Sequence, residues 1–161
     1  MIIRPEKLTQ KTFLPYGEVL QTDGVEPELI NFGNTQKFSN LAQISLVDGG
    51  HGQLSIYRSR AIELPFRIRL MERHNKGSQA FFPLHQRPFP VIVSDAKMEP
   101  GLADIRVFLT NGKQGVNIHP GIWHHYPLTL GEASEYVVVD RRGERKDCEE
   151  YSLPGDLDLY L

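Results

Sequence analysis

The sequence predicts an all-β protein, built as a β-sandwich or a barrel. Glycine and proline interrupt the chain often, with 14 Gly and 11 Pro among 161 residues. Between the interruptions lie short segments rich in β-branched and aromatic residues, which favour strands. No helical pattern of about 10–15 residues separates these segments, so β-α-β units are not expected. Many short strands at roughly even spacing are typical of sandwiches and barrels.

The predicted strands follow one another along most of the chain. In FRIRLME, Phe66, Ile68 and Leu70 are expected on one face of the strand. Met71 is expected on the opposite face, with the two arginines of the segment. The segments are GEVL near Gly17, AQISLV from Ala42, QLSIYRS from Gln53, FRIRLME from Phe66, SQAFFPL from Ser78, FPVIVSD from Phe89, DIRVFLT from Asp104, GVNIH from Gly115 and SEYVVVD from Ser134.

Helical signals are few and short. Thr9 is suited to cap a turn through QKTFL, which Pro15 would close. The segment EPGLADI is a second candidate turn. The expected fold therefore contains a few short helical turns beside its strands.

Composition and charge restrict the class of protein. The content of 40% hydrophobic and 24% charged residues fits one globular domain over residues 1–161. With 18 basic and 20 acidic residues, the chain lacks the basic excess of a nucleic-acid-binding protein. One cysteine, Cys148, excludes an intrachain disulfide and favours a cytoplasmic location. No apolar run has the length of a signal peptide or a membrane span, so no membrane association is expected.

Two polar clusters stand out against the apolar strands. Glu72 and His74 lie two residues apart and should share a strand face, followed by Ser78 and Gln79. The second cluster lies in NGKQGVNIHPGIWHHYPL, from Asn111 to Leu128. Imidazoles and a carboxylate that converge in one cavity can bind a divalent metal or transfer protons.

The second cluster is expected to join the first through a turn. Asn117 and His119 should share a face, and HPG is typical of a tight turn that folds His124 back toward His119. A histidine on a strand is more often a hydrogen-bonded structural residue than a ligand. Two separate clusters with ligand-type residues on one face favour a functional site over that interpretation.

Four stretches resemble the ureidoglycolate lyase family, whose members act in allantoin breakdown. They are LTQKTFLPYGEVL, ERHNKGSQAFFPL, FLTNGKQGVNIHPGIWHH and VVVDRRG, spread from about Leu8 to Gly143. The resemblance implies a double-stranded β-helix of the cupin type, in a homodimer. It also implies a lyase that cleaves (S)-ureidoglycolate into glyoxylate and urea.

The resemblance also implies a metal site. The metal-binding cupin pattern H-x-H-x(3,4)-E places Glu72 at the first His, His74 at the second and Gln79 at the Glu. His124 stands at the histidine that ends the second cupin motif. The chain thus departs from the pattern at two of four positions, and an amide oxygen is a poor ligand for a transition metal. The implied cofactor is Ni²⁺ or another divalent metal, held by these four residues.

Cleavage of a carbinolamine such as ureidoglycolate sets three tasks. Its carboxylate must be held, and a guanidinium does this best, with Arg73 and Arg58 as candidates. Strand alternation should turn Arg73 away from Glu72 and His74 unless a bulge intervenes.

The other two tasks are proton transfers. The hydroxyl must lose its proton, and the departing urea nitrogen must gain one. His119 and His74 are the candidate bases, His124 is an acid or ligand, and Glu72 orients a histidine or acts as base if burial raises its pKa.

Polar side chains near the two clusters are candidates for binding the rest of the substrate. Asn117 and Gln79 can donate hydrogen bonds to the urea carbonyl or the carboxylate, and Ser78 can do the same or merely cap its strand. Asp140 is expected to pair with Arg141 or Arg142 in a surface salt bridge.

Other functions remain open at this point. A ureidoglycolate amidohydrolase that releases ammonia needs the same carboxylate clamp and base. A cupin isomerase or metal oxygenase is a further alternative, although an oxygenase normally uses more histidine ligands. A non-catalytic cupin sensor of small molecules is the third, and such sensors usually carry a DNA-binding segment that this chain lacks.

Overall fold

The computed structural model describes residues 1–144 and 146–161, and in that part of the chain the secondary structure is almost entirely β. The strands are β1 (Ile2–Ile3), β2 (Glu6–Lys7), β3 (Gly17–Leu20), β4 (Glu28–Ile30), β5 (Thr35–Lys37), β6 (His51–Ser59), β7 (Phe66–Arg73), β8 (Gln79–Pro83), β9 (Pro90–Ser94), β10 (Arg106–Leu109), β11 (Gly115–Ile118), β12 (Trp123–His124), β13 (Ser134–Arg142) and β14 (Glu149–Leu159). The short helix α1 spans Gln10–Phe13, and a 3-10 turn spans Leu102–Asp104.

Two curled sheets and one separate hairpin contain these strands. The seven-stranded sheet has the order β1-β14-β7-β12-β9-β10-β2, and the five-stranded sheet has the order β3-β11-β8-β13-β6. From β7 onward the chain crosses repeatedly between the sheets, which is the winding of a double-stranded β-helix. The all-β, cupin-like class predicted from the sequence is therefore confirmed.

The space between the sheets is filled by an apolar core at one end. Val91 and Val93 of β9, Val116 and Ile118 of β11, and Val138 of β13 are all buried in this cluster. Helix α1 closes it with the ring of Phe13, which stacks edge-on against Phe108 at 5.5 Å. Every second residue of a strand faces inward, so these strands also have inward positions at their other ends. Polar side chains at those positions can line a cavity between the two sheets.

The outer faces of the two sheets differ in their burial. Ile92, which alternates with the inward valines of β9, is buried in a second cluster with Met71, Trp123 and Leu157. The outer face of the seven-stranded sheet is therefore covered, and β9 is buried along its whole length. The outer face of the five-stranded sheet instead leaves Leu54 and other apolar side chains exposed.

Most predicted strands are confirmed, and so are both helical turns. Thr9 caps α1, accepting a hydrogen bond from the backbone N–H of Thr12 at 3.1 Å. The strand predicted for AQISLV is wrong, because the only ladder contact of this segment is an isolated bridge between Leu46 and Gly77. The prediction that Met71 lies opposite Ile68 is also wrong, since both are buried in the second cluster.

The chain end was not predicted as a strand, yet β14 pairs with β7 along most of its length. The pairing shifts register between Ser152 and Leu157 of β14, which bends the ladder beside Ile68. No helix among the described residues is long and apolar enough to cross a membrane.

Candidate functional site

A cluster of polar side chains occupies the open end of the space between the sheets. Glu72 lies near the end of β7, and β12 pairs with β7 so that His124 stands directly opposite Glu72. His74 follows β7, and one ligand atom from each of these three residues lies within 4.8 Å of the others. Gln79 opens β8 in the facing sheet, and its Oε1 lies 2.9 Å from His124 Nε2. The first cluster and His124 therefore meet, as the sequence predicts.

Backbone carbonyls determine which nitrogen of each histidine is free. His74 Nδ1 donates to the carbonyl oxygen of Asp147 at 2.6 Å. His124 Nδ1 donates to the carbonyl oxygen of Ile122 at 3.0 Å. In a neutral imidazole the other nitrogen, Nε2, then carries a lone pair. This arrangement is the one that metal-binding histidines usually have.

The free atoms of the cluster are all hydrogen-bond acceptors. His124 Nε2 faces Gln79 Oε1 at 2.9 Å and Glu72 Oε1 at 3.7 Å. The Gln79 amide is oriented with its oxygen toward His124, since its nitrogen donates to Asp140 at 3.4 Å. His74 Nε2 is buried without a hydrogen-bond partner.

Burial favours the uncharged forms of His124 and Glu72. It lowers the pKa of His124 to about 3, so the contact with Glu72 is not an ion pair near neutral pH. Burial also raises the pKa of Glu72, although neighbouring His74 opposes that change. A proton on Glu72 would satisfy one acceptor contact, whereas a divalent cation would satisfy every free acceptor at once.

The donor set fits a divalent metal. An ion with bonds of about 2.1 Å holds its ligand atoms at most about 4.2 Å apart, so Glu72, His74 and His124 would need to close by less than about 1 Å. The two imidazoles suit ions such as nickel or zinc, and the carboxylate can complete such a site, whereas the amide oxygen is the weaker ligand of the set. The residues present thus form a possible metal-binding cluster.

A cavity of about 200 Å³ adjoins this cluster. The residues that line it are Gln53, His74, Gly77, Ser78, Asp140, Arg141, Arg142, Asp147 and Cys148. Three of them carry buried polar atoms with no hydrogen-bond partner, namely His74 Nε2, Asp140 Oδ1 and Arg141 Nη1. A buried polar atom without a partner is costly, so this concentration indicates a place where a polar ligand binds.

The structure does not bring Asn117 and His119 to this cluster. Val116 and Ile118 face the core, so Asn117 faces the outside of the five-stranded sheet, where its amide nitrogen donates to Glu18 at 2.8 Å. His119 Nε2 lies 3.1 Å from the same carboxylate. The expected return of His124 toward His119 is wrong, because the turn at Pro120 carries the chain from β11 into β12 of the other sheet.

Arg73 and Arg58 also lie away from the cluster. Arg73 turns outward as strand alternation predicts, pairs with Glu149 at 2.7 Å and stacks on Trp123 at 4.4 Å. Arg58 pairs with Glu135 at 2.7 Å on the outer face of β6, and its side chain is 80% exposed. Both guanidinium groups are committed to surface pairs.

Ser78 lines the cavity, but its hydrogen bonds hold two segments of backbone together. Its hydroxyl accepts a hydrogen bond from the backbone N–H of Ser45 at 2.9 Å. The backbone N–H of Ser78 in turn donates to the Ser45 carbonyl at 3.0 Å. This pair holds the segment before β6 against the start of β8.

Asp140 and Arg141 are the cavity residues whose position the sequence did not reveal. The expected surface salt bridge of Asp140 with Arg141 or Arg142 is wrong. Asp140 accepts from the Gln79 amide, and Arg141 donates to the carbonyls of Val47 and Asp48. The available signal was VVVDRRG itself, in which an acidic and two basic residues follow an apolar run at the end of β13.

Comparison with known proteins gives a consistent result. A family model described as Ureidoglycolate lyase matches residues 1–159. A ureidoglycolate lyase of Pseudomonas entomophila (strain L48) is 40% identical over 157 residues, covering 97% of this chain and 94% of the relative. One of Stutzerimonas stutzeri (strain A1501) is 41% identical over 97% of this chain and 92% of its own length. One of Burkholderia mallei (strain NCTC 10229) is 42% identical, over 94% of this chain and 89% of the relative.

Proposed function

Because the chain belongs to the ureidoglycolate lyase family, we propose that it is an enzyme that cleaves (S)-ureidoglycolate to glyoxylate and urea. The observation that carries this proposal is a cavity lined by His74, Asp140 and Arg141, each of which has a buried polar atom without a hydrogen-bond partner. A small, strongly polar substrate supplies what these atoms lack. A predominantly apolar ligand would leave them unsatisfied.

The reaction moves one proton from oxygen to nitrogen. The hydroxyl of the substrate loses its proton as the carbon–oxygen double bond forms, the carbon–nitrogen bond breaks, and the urea nitrogen gains a proton. Asp140 is the residue suited to this transfer, because it lines the cavity and its Oδ1 has no hydrogen-bond partner, while its Oδ2 accepts from the Gln79 amide. A carboxylate in this position can accept the hydroxyl proton and return it to nitrogen.

A divalent metal, with Ni²⁺ as the favoured ion, would be held by Glu72, His74, Gln79 and His124. When bound, it would act as a Lewis acid that lowers the pKa of the substrate hydroxyl. The hydrogen bonds from Nδ1 of His74 and His124 to the carbonyls of Asp147 and Ile122 leave both Nε2 atoms free, so these atoms would be the ones to bind the ion. In this proposal His74, His124 and Glu72 act as ligands, and His119, which the sequence suggested as a base, contacts Glu18 outside the cavity.

We also propose that the protein forms a homodimer through the outer face of the five-stranded sheet. Leu54 and Ile56 of β6 and Phe82 of β8 are 72%, 52% and 42% exposed. Half-buried Val137 of β13, the strand between them, pairs with both Ile56 and Phe82 and makes the apolar surface continuous. Contiguous exposed apolar side chains on a sheet usually mark an interface. A second copy of the chain would cover them.

Residues 1–161 are proposed to form one catalytic domain. The pairing of β1 with β14 supports this, because it joins the two ends of the chain in one sheet. A cytoplasmic location is proposed as well, and the single cysteine supports it.

Product analysis tests the proposed activity directly. Purified protein supplied with Ni²⁺ and incubated with (S)-ureidoglycolate should release urea and glyoxylate in equal amounts, and the (R) enantiomer should remain. Release of ammonia and carbon dioxide would instead support an amidohydrolase. Tight binding of ureidoglycolate without turnover would support a sensor.

A further inference from the structure

We propose that Arg141 is the residue that binds the substrate carboxylate, through its Nη1 in the cavity beside His74. The inference rests on the proposed function, because it assigns the carboxylate of ureidoglycolate to a specific donor. It replaces Arg58 and Arg73, the two candidates that the sequence suggested.

The Arg141 side chain is fixed by two of its own hydrogen bonds. Nε donates to the carbonyl oxygen of Val47 at 2.7 Å, and Nη2 donates to that of Asp48 at 3.0 Å. Neither bond neutralises the guanidinium, since both acceptors are uncharged carbonyls. The remaining nitrogen, Nη1, is buried and has no hydrogen-bond partner. The positive charge is therefore held in place with an unused donor.

Three glycines make room for this guanidinium. A Cβ atom at Gly77 would lie 2.5 Å from Arg141 Cβ, and one at Gly143 would lie 2.6 Å from Nη2. A Cβ atom at Gly50 would collide with Nε. None of the three has a backbone φ in the left-handed region, so space and not conformation explains the absence of side chains. The fold thus encloses Arg141 from three separate parts of the chain.

The position of Arg141 suits a carboxylate in the cavity. It lines the cavity of about 200 Å³ together with His74 and Asp140, and it also lines a neighbouring cavity of about 420 Å³ together with Lys76. A substrate held between Arg141 and Asp140 has its carboxylate on the cation and its hydroxyl or urea N–H groups on the free acceptor. Charge-assisted bonds of this kind are among the strongest that a protein makes to a small anion.

Of the two polar groups of the substrate, the carboxylate is the better partner for Arg141 than the urea group. The urea part of the substrate is neutral, whereas the carboxylate carries a full charge that must be matched when it leaves water. Among the described residues that line the cavity, half-buried Arg141 is the cation that carries a buried, unused donor, Nη1. Glyoxylate, which keeps the carboxylate, should therefore depend on Arg141, and urea should not.

The test compares Arg141→Lys with Arg106→Lys as the matched control. Arg106 forms a surface pair with Glu6 at 3.5 Å, away from the cavity. Both variants, loaded with the same metal, are assayed for urea release and for inhibition by glyoxylate and by urea. We expect Arg141→Lys to raise KM and the inhibition constant of glyoxylate by about tenfold or more, because lysine lacks the fixed planar donors. Inhibition by urea and all constants of Arg106→Lys should stay within about twofold of the parent protein.

Different outcomes separate this inference from the proposed function. A folded Arg141→Lys protein with unchanged KM and unchanged glyoxylate inhibition would overturn the assignment while the lyase activity stands. If the parent protein releases no urea, calorimetric titration with glyoxylate still tests the role of Arg141. A dissociation constant about tenfold higher in Arg141→Lys than in the parent protein supports carboxylate binding by Arg141. Equal dissociation constants overturn it.

A second variant covers the case in which Arg141→Lys does not fold. In Gly143→Ala the added Cβ would displace the guanidinium nitrogens without removing the charge. A raised glyoxylate inhibition constant in this variant supports carboxylate binding by Arg141, and a value equal to that of the parent protein contradicts it.

Discussion

The inner cluster (Glu72, His74, Gln79 and His124) and the outer cluster (Glu18, Asn117 and His119) are built from similar residue types but differ in their hydrogen bonding. In the outer cluster, the amide nitrogen of Asn117 and Nε2 of His119 both contact the Glu18 carboxylate, and a single buried acceptor, Asn117 Oδ1, has no partner. In the inner cluster, His124 Nε2 faces the amide oxygen of Gln79, His74 Nε2 has no partner, and ligand atoms of Glu72, His74 and His124 lie within 4.8 Å of one another. A carboxylate that receives two donors is typical of structural support. Several acceptors that converge on one point indicate a site that is completed by a cation.

Removal of the metal should have the largest effect. Dialysis against a strong chelator should abolish urea release, because the acceptors of the inner cluster have little support from donors among the described residues. His74 Nε2 has no partner, and the donor to Glu72 is the Cys148 thiol at 3.9 Å. Addition of Ni²⁺ should restore turnover, measured together with metal content by mass spectrometry. Full activity in protein that contains no bound metal would contradict the interpretation of the inner cluster as a metal site.

Gln79→Ala should have the next largest effect. It removes the amide oxygen beside His124 and frees Asp140 from its hydrogen bond. We expect metal affinity to fall by about 10–100-fold, with a matching loss of urea release at limiting metal. Equilibrium dialysis measures the affinity, and an unchanged affinity would show that Gln79 is not a ligand.

Asn117→Ala should affect stability and leave chemistry largely intact. The Asn117 side chain is fully buried and donates to Glu18 and to the carbonyl oxygen of Gln43. Its loss should lower the free energy of unfolding by about 1–3 kcal/mol, measured by urea denaturation. A large fall in kcat with unchanged stability would place the outer cluster in the reaction.

Ile56→Asp should dissociate the proposed homodimer and should have the smallest effect on turnover among these variants. A charge on the exposed apolar face of β6 would oppose burial of that face against a second copy. Sedimentation analysis should then show a monomer where the parent protein is a dimer, with kcat/KM within about twofold. A dimer that persists in this variant would exclude this face as the interface.

Much of the fold could be predicted from local sequence. The apolar residues of β7, β9 and β13 mark their strands directly, although the alternation expected in β7 fails at Met71. Thr9 marks the cap of α1. The tail strand β14 has only a weak local pattern, and it forms because β7 offers a long edge for pairing. The segment AQISLV is apolar, yet it pairs mainly through Ser45 with Ser78, a long-range contact that composition does not reveal.

The site was predictable where it depends on strand alternation. Glu72, His74 and Gln79 follow from the spacing of one stretch. His119 and His124 could not be separated by spacing, because the turn between them also changes the sheet. The position of Arg141 depends on the carbonyls of Val47 and Asp48 and on three glycines from separate segments. No local pattern contains that information.

The most direct test compares His74→Ala with His119→Ala, two partly exposed histidines from the two clusters. Bound metal and urea release are measured on both folded variants in parallel. His74→Ala should lose the metal and about 10³-fold or more in kcat/KM, since a metal supplies several kcal/mol of transition-state stabilisation. His119→Ala should keep its metal and near-parental turnover. Loss of activity in His119→Ala with retention in His74→Ala would contradict the assignment of chemistry to the inner cluster.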